Sequence, residues 1–294
     1  MRGLLIFIQF ITLLTATACG QGSGPDTGAE TNQSLGNTSR IGAFNIQSFG
    51  QTKMKNADVV SHLTGIIRRY DIILIQEIRD VSETAIYELL NRVNQYPPAT
   101  YQLVLSERAG RTSYKEQYAF IYRSDRVTVL NTYMYDDGAE PDRDQFEREP
   151  FVAYIEINNL TVSLIAIHVK PNEALDEINN LPLVYEDAIS KNNDLDAIIL
   201  GDLNADCTYL NAKEQQTNAL ISDDRFTWLT SFELDTTTRH STDCAYDHLV
   251  ITNSIQDHFI VNSSSVYRYD IQLNLAETQA LEVSDHFPVE ATLQ

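Results

Sequence analysis

Residues 197–204 read Ala-Ile-Ile-Leu-Gly-Asp-Leu-Asn. Ala197 to Leu200 is a short apolar run suited to a buried strand, and it is followed by Asp202 and Asn204, residue types that can bind metal. Similar runs recur at Ile41 to Phe44, Ile72 to Ile75, Ala119 to Tyr122, Val162 to Ile167 and Leu249 to Thr252. Helical patterns lie between several of them. Val59, Leu63, Ile66 and Ile67 share one helix face, and Ile86, Leu89, Leu90 and Val93 share another, with Ser82 the expected cap. The alternation predicts a layered α/β or α+β fold.

The polar ending of residues 197–204 repeats along the chain. Asn45, Glu77 and His168 also follow apolar strands directly, while Asp247 and the pair Asp285-His286 stand just before one. Strand ends on one edge of a layered sheet can converge on a single cleft. One such residue would read as a turn former or a satisfied hydrogen-bonding group. Repetition at different strands, in residue types that bind metal or move protons, points instead to a shared site.

The hydrophobic fraction of 43% over 294 residues is ample for a packed core and argues against disorder throughout. Lys and Arg total 21 against 41 Asp and Glu, a net charge of −20, the opposite of a passive nucleic-acid binder's basic footprint. An acidic chain that acts on a polyanion needs bound cations or a few local Arg and Lys side chains.

Residues 1–18 read as a signal peptide: Arg2 is the positive start, Leu4 to Leu14 the apolar run, and small residues follow. The apolar run is short for a membrane span. Ala16-Thr17-Ala18 fits ordinary cleavage, whereas Ala16-Thr17-Ala18-Cys19 also fits a bacterial lipobox that would leave Cys19 lipidated. Either route places the chain outside the cytoplasm, secreted or anchored at the envelope. With Cys19 set aside, Cys207 and Cys244 remain, either as a disulfide or as two buried thiols. Residues 19–39, rich in Gly, Ser, Thr and Asn, read as a flexible linker, and residues 40–294 as one domain with no internal break or repeat.

The segments FNIQSFG (44–50), RYDIILIQEIRD (69–80), SYKEQYAFIYR (113–123), EREPF (147–151), GDLNADC (201–207), TDCAYDH (242–248) and VSDHFPVE (283–290) resemble deoxyribonuclease I and its relatives in the endonuclease/exonuclease/phosphatase superfamily. The resemblance runs from about Arg40 to Gln294. GDLN and SDHFPVE mark the superfamily, while YKEQYAFIYR, CAYD and the spacing of Cys207 and Cys244 are specific to deoxyribonuclease I. It implies a four-layer sandwich, two mixed β-sheets packed face to face with helices on the outer faces, and an endonuclease that hydrolyses DNA.

The resemblance also assigns roles. Glu77 with Asn45 would hold one Mg²⁺ or Mn²⁺, Asp202 and Asn204 a second divalent ion or the phosphate, and Asp285 is a further metal-ligand candidate; oxygen ligands suit such hard ions. His168 and His286 would carry protons, oriented by Glu116 and Asp247, with base and acid interchangeable on the sequence alone. Arg79 and Tyr114 match minor-groove contacts, Arg148 a phosphate contact, and Lys115 a further one. Structural Ca²⁺ is expected at Asp137, Asp144, the Phe146 carbonyl and Glu149, and at Asp235, Thr237 and Thr242, where the spacing is one residue longer than in relatives.

Other positions depart from the family. The small disulfide that some relatives carry after the YDDG motif (135–138) has no cysteines here, Asp206 stands where relatives often have Gly, and His248 replaces an Arg after CAYD. Leu103 and Ser82 stand where an actin-binding relative has Tyr and His, so actin binding is not expected, nor any stable protein partner; membrane attachment is expected only through a lipid at Cys19. Two other readings share part of this pattern: a sphingomyelinase or phosphoinositide phosphatase of the superfamily, and a surface binding module without catalysis. Arg79, Tyr114 and the cysteine pair favour DNA over lipid, and the completeness of the polar set favours an enzyme.

Overall fold

The computed structural model describes residues 38–138 and 144–294, of which the latter part and the former belong to one unit spanning 35–294. The signal-peptide reading, Cys19 and most of the linker lie outside the described residues. In chain order the first half contains β1 (Ser39–Phe49), α1 (Gln51–Met54), α2 (Ala57–Ile67), β2 (Ile72–Ile78), α3 (Ala85–Val93), β3 (Tyr101–Leu105), β4 (Gln117–Arg123) and β5 (Val127–Met134). There follow β6 (Phe151–Ile157), β7 (Leu160–Ala166), α4 (Ala174–Asn192), β8 (Ala197–Asp202), α5 (Ala212–Gln215) and β9 (Phe226–Trp228). The chain closes with β10 (Asp247–Thr252), β11 (Ser265–Val266), α6 (Tyr269–Gln272), α7 (Glu277–Val283) and β12 (Val289–Leu293).

Two six-stranded sheets form, ordered β11-β12-β1-β2-β4-β3 and β5-β6-β7-β8-β10-β9. Both are mixed: β1 and β2 are parallel in the first, β7 and β8 in the second, and the other pairs are antiparallel. The α/β sandwich expected from the sequence is therefore the observed architecture. Between the sheets lie Ile41, Ala43, Ile72, Leu74, Phe120, Leu164, Ile198, Leu200, Leu249 and others, a layer held by apolar burial. Outside the first sheet, Val59, Leu63, Ile66 and Ile67 of α2 and Ile86, Leu89 and Val93 of α3 pack on Phe44, Ile73 and Ile75. Outside the second, Ile178, Leu181, Val184 and Ala188 of α4 cover Ile165 and Ile199.

Ser82 does not cap α3. The helix begins at Ala85, and the Asp80 carboxylate accepts from the Thr84 and Ala85 amides, each at 2.9 Å. Ser82 donates its amide and hydroxyl to Asp80 and shares a hydroxyl contact with Thr84 Oγ1. A charged acceptor at the helix start is favoured over a hydroxyl because it also meets the dipole of the first turn.

Candidate active site

Strand side chains alternate between faces. On each of six strands the face that packs between the sheets continues, two residues on, into a polar side chain. Ile41 and Ala43 lead to Asn45, Ile72 and Leu74 to Gln76, Phe120 and Tyr118 to Glu116, Leu164 and Ala166 to His168, Ile198 and Leu200 to Asp202, and Ile251 and Leu249 to Asp247. All six polar residues are buried. They meet at one edge of the sandwich, where the apolar layer ends.

The geometry centres on one oxygen. Asp202 Oδ2 lies 3.4 Å from His168 Nε2, 3.6 Å from His286 Nε2 and 3.1 Å from Asn45 Nδ2. Behind the imidazoles, His168 Nδ1 meets Glu116 Oε2 at 2.8 Å and His286 Nδ1 meets Asp247 Oδ2 at 2.7 Å. Each ring thus has Nδ1 held by a carboxylate and Nε2 turned to the centre. Asn45 also donates to Glu77 Oε1 at 3.0 Å, the Asn204 amide donates to Asp202 Oδ1 at 3.1 Å, and the Asn204 side chain donates to Val169 O at 3.0 Å.

Several of these side chains are placed by left-handed backbone. Glu77 has φ 59°, which breaks the alternation of β2: Ile78 stays on the helix side with Ile73 and Ile75, and Glu77 turns into the cleft. Gln47, Ser48 and Asn204 have φ of 44°, 50° and 49°. Such conformations cost on the order of 1 kcal/mol or more for residues other than glycine and persist where surrounding bonds fix them. Here the Ser48 amide donates to Glu77 Oε2 at 2.7 Å, the Gln47 amide to Asn45 Oδ1 at 3.0 Å, and Gln47 Nε2 to Asp285 Oδ2 at 2.7 Å.

Electrostatics follow from crowding five carboxylates, Glu77, Glu116, Asp202, Asp247 and Asp285, around two imidazoles. Burial alone would raise the Glu116 carboxyl, but His168 and Arg148 outweigh it and hold it at about 2. Burial and the Arg148 guanidinium work against charge on His168, yet Glu116 and Asp202 raise its pKa. His286 is raised well above the ordinary imidazole value, the pull of Asp247 and Asp202 exceeding the cost of burial. Burial and the Asp247 charge push Asp202 up.

This donor set fits a hard divalent cation. Glu77, Glu116 and His168, and again Asp202, Asp247 and His286, bring ligand atoms within 4.8 Å of one another, and Asp247 Oδ1 and Asp285 Oδ1 are buried without a hydrogen-bond partner. A cation would answer both the surplus charge and the unpartnered oxygens.

At the rim the Arg79 guanidinium lies 3.7 Å over the Tyr114 ring, and its Nη1 donates to Ser48 Oγ at 3.1 Å. Tyr114 is exposed. Arg148 is buried behind His168, donating Nε to the His168 carbonyl at 2.9 Å, and its Nη2 has no partner. Lys115 is turned into its own loop, Nζ on Gly110 O at 2.7 Å.

Of the expected calcium loops, Asp137 accepts from the Gln145 and Phe146 amides at 2.8 and 3.0 Å. Burial, with the Asp144 charge adding to it, raises both Asp137 and Glu149. Asp144 Oδ1 is buried without a partner, while Asp144 Oδ2 takes Arg111 Nε at 2.8 Å. In the second loop Thr237 donates its amide and hydroxyl to Asp235 Oδ1 at 2.9 and 2.7 Å, and the hydroxyl also reaches Thr242 O at 3.3 Å. Cys207 and Cys244 form a disulfide, Cα to Cα 5.9 Å, so the alternative of two thiols is set aside.

Three residues of this site have no role assigned from the sequence, although Gln76 and Ser284 lie within the segments that resemble the family. Gln76 donates to Ile167 O at 2.7 Å and accepts from the Asp202 amide at 3.0 Å, joining the two sheets. Ser284 donates to Asn45 O at 2.6 Å and accepts from the His286 amide at 3.1 Å. Glu177, wholly buried on α4, accepts from the Glu147 and Lys170 amides at 2.8 and 3.0 Å. The two-residue alternation would have found Gln76; the other two lie outside strands.

Residues 42–286 match the Endonuclease/Exonuclease/phosphatase family. Among curated proteins, Deoxyribonuclease-1 of Bos taurus is 42% identical over 264 residues, 88% of this chain and 93% of that protein. Deoxyribonuclease-1 of Mus musculus is 41% identical over 267 residues, again 88% and 93%. Among solved structures, an endonuclease/exonuclease/phosphatase from Bacteroides vulgatus superposes with a TM-score of 0.60 at 15% identity, covering 87% of this chain and 98% of its own. D. rerio TDP2 complexed with single strand DNA product gives 0.61 at 13% identity, covering 87% and 99%.

Proposed function

Since the chain belongs to the deoxyribonuclease I family of the endonuclease/exonuclease/phosphatase superfamily, we propose that this deoxyribonuclease is an exported, divalent-metal-dependent endonuclease that cuts double-stranded DNA with little sequence preference. The observation that carries the reading is the convergence of two carboxylate-held imidazoles on Asp202 Oδ2.

In this reading His168 and His286 share the proton work: one takes a proton from the attacking water and the other returns one to the leaving oxygen. Glu116 and Asp247 fix the Nδ1–H tautomers and stabilise the imidazolium when it forms. Asn45, Glu77, Asp202, Asn204 and Asp285 would hold Mg²⁺ or Mn²⁺, which supplies charge neutralisation for the phosphoryl oxygens. Arg148 holds the His168 carbonyl, lies 3.6 Å from Glu116 Oε2, and its unpartnered buried Nη2 would meet a phosphate brought into the site. Arg79 and Tyr114 at the rim suit a narrow groove of negative potential, a mode that reads shape more than base identity. Asp137, Asp144, Glu149 and the Phe146 carbonyl, and separately Asp235, Thr237 and Thr242, would bind structural Ca²⁺. Residues 1–18 support export, and no helix among the described residues is long and apolar enough to cross a membrane.

The test is nicking of supercoiled plasmid by the purified protein with Mg²⁺ and Ca²⁺, with excess chelator, and by folded His286→Ala. Chelation should abolish nicking, and His286→Ala should lower the rate about 10²- to 10⁴-fold. Folded, metal-supplied protein that leaves DNA intact would refute the reading and direct attention to phospholipid headgroups.

A further inference from the structure

We propose that Lys53 is the positioning residue that ties the metal-side segment of the site, Asn45 to Ser48, to the histidine-side segment, Ser284 to His286. The inference rests on the nuclease reading. Lys53 Nζ donates to three backbone carbonyls, Ile46 O, Gln47 O and Val283 O, each at 2.8 Å. An ammonium has three donors, and all three are used.

The three carbonyls are ones that secondary structure leaves over. Ile46 and Gln47 fall in the interruption of the β1–β2 ladder, between the pairs Asn45↔Gln76 and Phe49↔Ile78. Val283 is the last residue of α7, where carbonyls lack intrahelical partners. On one side the tie fixes the left-handed turn at Gln47 and Ser48, which gives Glu77 its amide donor and Asp285 its Gln47 partner. On the other it fixes the end of α7, directly ahead of Asp285 and His286.

Only a compact, three-donor cation meets three carbonyls at one point; the planar fork of Arg does not. Burial pulls the Lys53 ammonium down to about 8, while the Asp285 and Glu77 carboxylates act to keep it charged. Lys53 hydrogen-bonds backbone carbonyls and none of the groups that handle protons or cations; Lys53→Arg, which keeps the charge near Asp285 and Glu77, separates backbone position from that field. Lys55, exposed just past the same short helix, shares its charge but makes no such tie.

The experiment compares wild type, Lys53→Met, Lys53→Arg and the control Lys55→Met. Wild type and Lys55→Met should nick DNA alike; failure of both would sink the nuclease reading and leave the backbone tie to be judged by hydrogen exchange. Lys53→Met should lower kcat about 10²-fold, the scale of a displacement near 1 Å, with KM within about threefold. Lys53→Arg should recover less than about a tenth of the lost rate. Hydrogen exchange of Lys53→Met should lose protection at Ser48 and at residues 284–286 while β8 keeps its own. Folded Lys53→Met with kcat within threefold of wild type, or with unchanged exchange at Ser48, would overturn the proposal. If Lys53→Met does not fold, Lys53→Gln, which keeps one donor pair, is measured instead, and wild-type kcat in that variant overturns it equally.

Discussion

Acidification from pH 7.5 to 5 should weaken this protein through His248. The side chain is wholly buried, with Trp228 and Phe232 rings each 4.9 Å away. Its Nε2–H donates to Ala245 O at 2.8 Å, and in the neutral ring its Nδ1, 2.9 Å from the Thr230 hydroxyl, accepts from it. Burial, the largest influence, lowers its pKa to about 4. An unfolded imidazole titrates near 6.5, so between those values the unfolded chain takes up a proton that the folded chain refuses. Stability from this group is therefore complete above about pH 6.5, falls as pH drops, and is down by about 2 kcal/mol at pH 5. Urea unfolding of wild type and His248→Gln, at both pH values and fixed Ca²⁺, measures it. His168, His286 and the carboxylates contribute equally to both proteins, so wild type should lose about 2 kcal/mol more than the variant. Equal losses would refute the reasoning.

Gly201 has φ 135°, and a Cβ there would stand 2.2 Å from Ile167 O and 2.8 Å from Gln76 Nε2. Gly201→Ala should therefore displace Asp202 and Gln76 together, costing about 2 kcal/mol or more in a melting experiment and at least tenfold in nicking rate. Arg79→Ala removes a rim cation: KM for duplex DNA should rise about tenfold with kcat within threefold, and the slope of log KM against log salt should shrink by about one. An unchanged salt slope would place Arg79 outside the DNA contact.

The reading of residues 197–204 carried far because the chemistry rides on the most regular part of the fold. Six inner faces run apolar, apolar, polar at a period of two, so burial and site share one pattern. Edge strands were harder. β5 exposes half of its side chains and mixes polar with apolar residues, and β9 has three residues, so neither shows a run long enough to stand out. Backbone that turns left-handed at Gln47, Ser48 and Glu77 has no residue-type signature, since none is Gly or Asn. Asp80 overruled Ser82 because capping depends on which oxygen reaches the amides, and both residue types qualify by sequence. Lys53, on the four-residue α1, and Glu177, on the 19-residue α4, read in sequence as solvated helix charges, and only tertiary packing brings them to backbone partners.

β1 starts at Ser39, paired with Leu293 near the C-terminal end, and reaches Asn45 six residues later, roughly 20 Å along the strand. Both ends of the folded chain thus emerge side by side, remote from the cleft. A fusion partner or resin-bound tag joined at either end therefore starts at the base of the sandwich, away from the site. A tag joined there leaves the open edge clear for long polymers in solution.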